Sequence, residues 1–277
     1  MKIDAHQHFW HYSAAEYGWI TDSMATLRRD FLPNELEKIL TTNGFAGSVA
    51  VQARQTSAET QWLLDLADQH PVIEGVVGWV DLRSEHLDEQ LARFASHPKF
   101  VGVRHVVQDE PDVRFLLGET FMRGVEKLLE HNLTYDILIF PKQLAACSEL
   151  VKNFPEHRFM LDHIGKPAIK DGFLSPWKKH IQQLAAFPHV FCKISGLVTE
   201  ADWQHWQLAD FEPYLDVIIN AFGMDRLLFG SDWPVCTLAA SYDKVIDIVE
   251  SYLDKHNFSD MEKAAFWGGN AVKFYQL

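Results

Sequence analysis

Three imidazoles and one carboxylate stand at the ends of apolar runs, and their spacing suggests shared chemistry. His6 and His8 flank one residue in Lys2-Ile3-Asp4-Ala5-His6-Gln7-His8. His163 follows Phe159-Met160-Leu161-Asp162, and Asp232 follows Leu227-Leu228-Phe229-Gly230-Ser231. If the first run is a strand, residues two apart point the same way, so His6 and His8 aim together. Paired imidazoles can hold a divalent metal or polarise a carbonyl, and a carboxylate among them can act as general base toward water. Each residue also has a plainer reading. The histidines could be satisfied core or loop-capping groups, and Asp232 could cap a helix or form a structural ion pair.

These positions converge only if the elements between them bring strand ends together. Strands are expected at about 2–8, 46–52, 73–80, 100–106, 134–139, 158–162, 190–195 and 227–231. Several are near-continuous apolar runs, as strands buried on both faces require. Helical patterns fall between them, at 33–43, 57–69, 85–96, 119–131, 142–153, 176–186, 207–222 and 241–254, with a terminal helix at 259–267. Pro33 suits a first turn, Thr56 with Glu59 has capping-box spacing, and Ser84 is the expected N-cap of the third helix. Eight strands alternating with helices predict one (β/α)8 barrel over residues 1–277, with its site at the C-terminal ends of the strands. A doubly wound open sheet would carry a Gly-rich phosphate loop after its first strand, and none is present. The long aromatic connection 9–32 is expected to cover the site, and substrate-reading side chains are sought there and in the segment 197–207.

The bulk properties bound the class of protein. Hydrophobic residues make up 47% of the 277, enough for a large core. The formal charge of −13 argues against nucleic acid or anionic membranes as partners. Cys147, Cys192 and Cys236 form no Cys-x-x-Cys pair, which fits a reducing cytoplasm. No signal peptide or membrane-spanning run is visible, so a soluble cytoplasmic protein is expected. The sequence leaves the oligomeric state open, a homo-oligomer included.

Further residues are candidates for substrate contact. Arg104 ends Phe100-Val101-Gly102-Val103-Arg104, and alternation lets either Arg104 or His105 face inward, not readily both. Its guanidinium could polarise a carbonyl or hold a carboxylate. Gln52 closes the second strand. Lys193 is costly inside a strand unless paired, so a structural ion pair competes with substrate binding. Trp10, Trp79 and Trp233 sit at strand ends, where an indole could wall a bound ligand or simply pack.

Taken together, Asp4-Ala5-His6-Gln7-His8-Phe9-Trp10, Asp162-His163-Ile164-Gly165-Lys166-Pro167, Lys193-Ile194-Ser195-Gly196-Leu197 and Phe229-Gly230-Ser231-Asp232-Trp233-Pro234-Val235 resemble the sugar-lactonase branch of the amidohydrolase superfamily. That branch holds L-fuconolactone, L-rhamnonolactone and pyrone-dicarboxylate hydrolases. The resemblance runs from Ile3 to Asn270. It implies hydrolysis of an aldono-1,4- or 1,5-lactone, L-fuconolactone or a close stereochemical relative, by water activated at Asp232. It also implies that no metal is required. Strand four ends in Val103-Arg104-His105 and strand five in Ile139-Phe140-Pro141, without the bridging lysine and second histidine of two-metal relatives. One weakly held divalent ion, zinc by donor type, on His6, His8, His163 and Asp232 is the alternative. A metal-dependent hydrolase or decarboxylase of the same fold is the rival activity.

Overall fold

The computed structural model describes residues 1–277 throughout. Eight parallel strands, β1 Lys2–Gln7, β2 Phe45–Val51, β3 Ile73–Gly78, β4 Phe100–Val106, β5 Thr134–Leu138, β6 Phe159–Leu161, β7 Val190–Ile194 and β8 Leu227–Phe229, pair in sequence order. Helices α1 Pro33–Thr42, α2 Ser57–Gln69, α3 Leu87–Phe94, α4 Glu119–Glu130, α5 Leu144–Asn153, α6 Trp177–Ala185, α7 Leu208–Phe222 and α8 Tyr242–Lys255 fill the connections. This is a (β/α)8 barrel, nearly closed by a ladder of seven pairings.

The seam between β8 and β1 is closed without a regular ladder. His8 N–H donates to the Trp233 carbonyl at 2.7 Å, and Asp232 N–H donates to the His6 carbonyl at 2.8 Å. One step lower, the Asp4 carboxylate takes over, accepting from Ser231 N at 2.9 Å. A register irregularity between Asp4 and Gln7 lets Ile3 and Ala5 pack inside the barrel while His6 and His8 still turn to its mouth.

The main apolar core lies between the sheet and its helices, and a smaller cluster fills the barrel interior. The inner cluster joins Ile3, Val49, Val77, Met160 and Leu228 to Phe274 and Tyr275 of the last helix, α10 Asn270–Tyr275. The C-terminus thus plugs the end of the barrel opposite the site. The expected terminal helix at 259–267 is instead α9 Asp260–Ala264, a π-turn over Ala265–Gly269 and then α10.

Local signals explain most boundaries. Pro33 opens α1, and Thr56 Oγ1 accepts from Glu59 N at 3.1 Å to cap α2. The reciprocal half of that capping box is absent. Glu59 turns away and takes the Ala53 and Arg54 N–H groups at 3.0 and 2.8 Å, so it orders the loop after β2. Ser84 does not cap α3, because its hydroxyl accepts from His86 N in a preceding turn and the helix starts at Leu87. The three cysteines are buried and unbridged, and no helix is long and apolar enough to cross a membrane.

Candidate active site

The loops at the C-terminal ends of the strands surround a cavity of about 770 Å³, with His8, Arg104, His163 and Asp232 in its lining. His6 lies just beneath, fully buried, with its Nε2 3.2 Å from His8 Nε2. Asp232 Oδ1 is 3.3 Å from His8 Nε2 and 3.9 Å from His6 Nε2. The strand-one pair and the strand-eight acid therefore meet as their spacing predicts.

Hydrogen bonds below this cluster fix what its atoms offer. His8 Nδ1 lies 2.7 Å from the Val51 carbonyl, an acceptor only, so the proton sits on Nδ1 and Nε2 presents a lone pair. His6 Nε2 faces Arg104 Nη1 at 3.2 Å and must accept there, which puts the His6 proton on Nδ1, beside Asp162 Oδ1 at 3.3 Å. Burial, reinforced by Lys193 against the pull of Asp162, holds His6 far below the ordinary histidine range, so it is neutral. Burial would raise the pKa of Asp232, but the imidazoles around it, His163 first, outweigh burial and hold the acid below the ordinary carboxylate range. His8 Nε2, an Asp232 oxygen and His6 Nε2, the last also accepting from Arg104, thus converge. That donor set fits a divalent cation.

His163 reaches the same mouth by a different route. Its φ is +52°, and Ile164, Gly165 and Lys166 continue in the left-handed region. The turn swings the His163 ring to 4.4 Å from that of His6, and Ser195 Oγ holds Nδ1 at 2.9 Å. Gly196 makes room: its φ is +64°, and a Cβ there would lie 2.7 Å from His163 Nδ1. Burial lowers the His163 pKa to about 4. The expected four-donor set is divided, because His6, His8 and Asp232 make one group while His163 joins His6 and Asp162 in another.

Below His6 lies a charge network inside the barrel. Lys193 Nζ is 2.6 Å from Asp136, 3.0 Å from Asp162 and 3.2 Å from His6 Nδ1, and it is fully buried. Arg104 donates to Asp162 at 3.0 Å and to the Gln52 carbonyl, and Tyr275 OH donates to Asp136 at 2.6 Å.

The structure separates the other candidates. Arg104 lines the cavity, and His105 turns outward to Glu110 and stacks on Phe115, as alternation requires. Lys193 is not a substrate contact, since no surface of it is open and its charge is spent on Asp136 and Asp162. Gln52 is buried and props Arg104, accepting from the guanidinium and donating to the Arg104 carbonyl. Trp10 is core: its N–H bonds the Leu27 and Arg29 carbonyls and it packs on Phe31. Trp233 packs on Phe9 and Phe31, and Trp79 turns to His105, so neither lines the cavity. The indoles that do line it are Trp19, from the 9–32 connection, and Trp203, from the 197–207 segment. Both segments line the cavity, the 9–32 connection covering it as expected. Sequence reasoning missed Asp136, yet an acid inside Thr134-Tyr135-Asp136-Ile137-Leu138 carries the same signal that marks Lys193, a charge in a strand that must find a partner.

The chain belongs to the amidohydrolase family, whose model matches residues 3–277. It is 44% identical over 287 residues to an L-fucono-1,5-lactonase of Burkholderia multivorans, covering 100% of this chain and 96% of that one. An L-fucono-1,5-lactonase of Burkholderia ambifaria is 37% identical over 279 residues, with the same coverage. The crystal structure of an amidohydrolase from Burkholderia multivorans with bound zinc superposes with a TM-score of 0.97 at 45% identity, covering 100% of this chain and 99% of that one. The zinc in that relative and the donor set found here do not fit the expectation of a site with no need of metal.

Proposed function

We propose that this chain hydrolyses a sugar lactone, L-fucono-1,5-lactone or a close stereochemical relative, to the open aldonic acid. The observation that carries the reading is the buried Asp232 carboxylate in the cavity lining, 3.3 Å from His8 Nε2. The two lactonases that match this chain over its whole length support the substrate class.

In this reading Asp232 takes a proton from water as the water oxygen bonds to the lactone carbonyl carbon. Arg104 and His163 border the developing oxyanion from the cavity wall, and such aimed donors are commonly the largest catalytic contribution. The ring C–O bond then breaks, and the proton on Asp232 passes to the departing ring oxygen, which becomes a hydroxyl. A carboxylate held below the ordinary range is a weak base. It suits an activated ester better than an amide.

His6, His8 and Asp232 would hold one divalent ion, and when bound it supplies a more acidic water. Arg104 donates to the same His6 Nε2, so an ion bound there would have to displace that hydrogen bond, which lowers its affinity.

The test is a panel of L-fucono-, L-rhamnono-, L-galactono- and D-arabinono-lactones read by acid release, with zinc content measured before and after chelation. Turnover is expected on at least one lactone, and Asp232→Asn should lower it about a thousandfold with the fold intact. An inert wild type, or an active Asp232→Asn, would overturn the proposal. Full rate in zinc-free protein would remove the ion from it.

A further inference from the structure

The wall of the cavity between β6 and β7 carries a second set of fixed polar groups that the hydrolytic chemistry does not use. Lys166 Nζ lies 3.1 Å from Glu200 Oε1 and 3.1 Å from Gln108 Oε1. All three residues line the same cavity as His163 and Asp232. They come from the loops after β4, β6 and β7, so only the closed barrel brings them together. The side chains of Lys166 and Glu200 are each 19% exposed.

We propose that Lys166, Glu200 and Gln108 form a hydroxyl-reading subsite that determines which polyhydroxylated lactone is accepted. This deepens the lactone reading above and rests on it.

The backbone gives the first reason. Lys166 ends a run of four left-handed residues, with φ of +52° at His163, +50° at Ile164, +71° at Gly165 and +50° at Lys166. Three of the four carry side chains and one is β-branched, a conformation that L residues avoid. Trp177 Nε1 pins the Ile164 carbonyl at 2.8 Å, and Tyr214 OH bonds the Ala168 carbonyl just beyond. One end of the run delivers His163 to the site and the other delivers Lys166. A partly exposed ion pair contributes little to stability, so Lys166–Glu200 alone is a poor return for such a backbone.

The open valences give the second reason. Two acceptors hold the Lys166 ammonium, which also lies 5.2 Å from the Phe140 ring, so its direction is fixed. One ammonium N–H, the second oxygen of Glu200 and the Gln108 amide N–H groups have no protein partner. A hydroxyl both donates and accepts. A donor and an acceptor held side by side therefore match neighbouring ring hydroxyls. The charges of Lys166 and Glu200 cancel, which favours neutral hydroxyls over a carboxylate. Trp203 lines the cavity beside Glu200, its N–H tied to the Thr199 carbonyl at 2.9 Å, and offers its ring to the C–H face of a sugar.

The test compares kcat/KM on L-fucono-1,5-lactone with kcat/KM on δ-valerolactone, which lacks hydroxyls. The variants are Lys166→Met, Glu200→Gln and the charge-neutral double variant, which leaves no charge unpaired. The ratio of the two kcat/KM values should fall at least about 30-fold in each, chiefly through KM, with the pH profile unmoved. An unchanged ratio in the folded double variant, or equal losses on both lactones, would overturn the subsite while leaving the lactone reading in place. A wild type inert toward both lactones would defeat the two together.

Discussion

Asp4 on β1 holds Ser231, just beyond β8, by both its backbone N–H, at 2.9 Å, and its hydroxyl, at 2.6 Å. A carboxylate thus replaces a ladder rung where the barrel closes, and the same Ser231 hydroxyl accepts from Trp233 N at 3.0 Å. Asp232 lies between these two anchored positions. Ser231→Ala should cost about 1–3 kcal/mol, because the buried Asp4 oxygen loses a short hydrogen bond. It should also lower kcat by loosening Asp232. Urea unfolding and steady-state rates check this, and a variant as stable and active as the wild type would show that the Ser231 hydroxyl is dispensable to the seam.

Lys193 separates two buried acids, Asp136 and Asp162. Lys193→Met would leave them facing each other without a cation between, and removing one partner of a buried pair costs about 3–5 kcal/mol. The expected result is a large loss in urea midpoint and a fall in kcat, since His6 loses a neighbour 3.2 Å from Nδ1. Adding Asp136→Asn should recover part of the stability. No recovery in the double variant would mean that packing, not charge, makes Lys193 indispensable.

His157 predicts a pH effect remote from the site. Burial lowers its pKa from 6.5 to about 4, helped by Arg158 and His189. The unfolded chain therefore binds a proton that the folded chain refuses, and the stability due to this group is complete above pH 6.5 and lost as pH falls toward 4. By pH 5 the loss reaches about 2 kcal/mol. Asp4 acts in the opposite sense: burial, offset in part by Ser231, raises it from 3.8 to about 6, so its contribution is full below 3.8 and declines up to 6. The clean measurement is a difference of slopes. His157→Asn keeps an acceptor for Arg158 N, which His157 Nδ1 now holds at 3.0 Å, and should lose less stability between pH 7.5 and pH 5 than the wild type. Equal losses would show that His157 protonates in the folded state.

Gly124 tests packing against propensity. It lies inside α4, where Ala would ordinarily gain about 1 kcal/mol. A Cβ there would lie 2.0 Å from the Leu82 carbonyl oxygen, a backbone atom with little freedom to retreat. Gly124→Ala should therefore destabilise, by about 1–3 kcal/mol or more, and lower Tm. A raised Tm would mean that the loop at Leu82 yields easily.

The sequence by itself determined the repeat of strand and helix, most element boundaries to within two residues, and the placing of His8, His163 and Asp232 around one barrel mouth with His6 just beneath. Those features are written in local periodicity and punctuation, and barrel closure then places the first, sixth and eighth strand ends together. The tertiary structure alone decided which polar groups touch the cavity. Trp10 and Trp233 sank into the core while Trp19 and Trp203 took the walls. Lys193 vanished beneath His6, because its partners Asp136 and Asp162 come from strands far away in the chain. The left-handed turn from His163 to Lys166 divided the expected donor set and carried Lys166 to Glu200. Whether a charge is buried and what pairs with it depend on residues distant in sequence and near in space, and one strand's pattern holds no record of them.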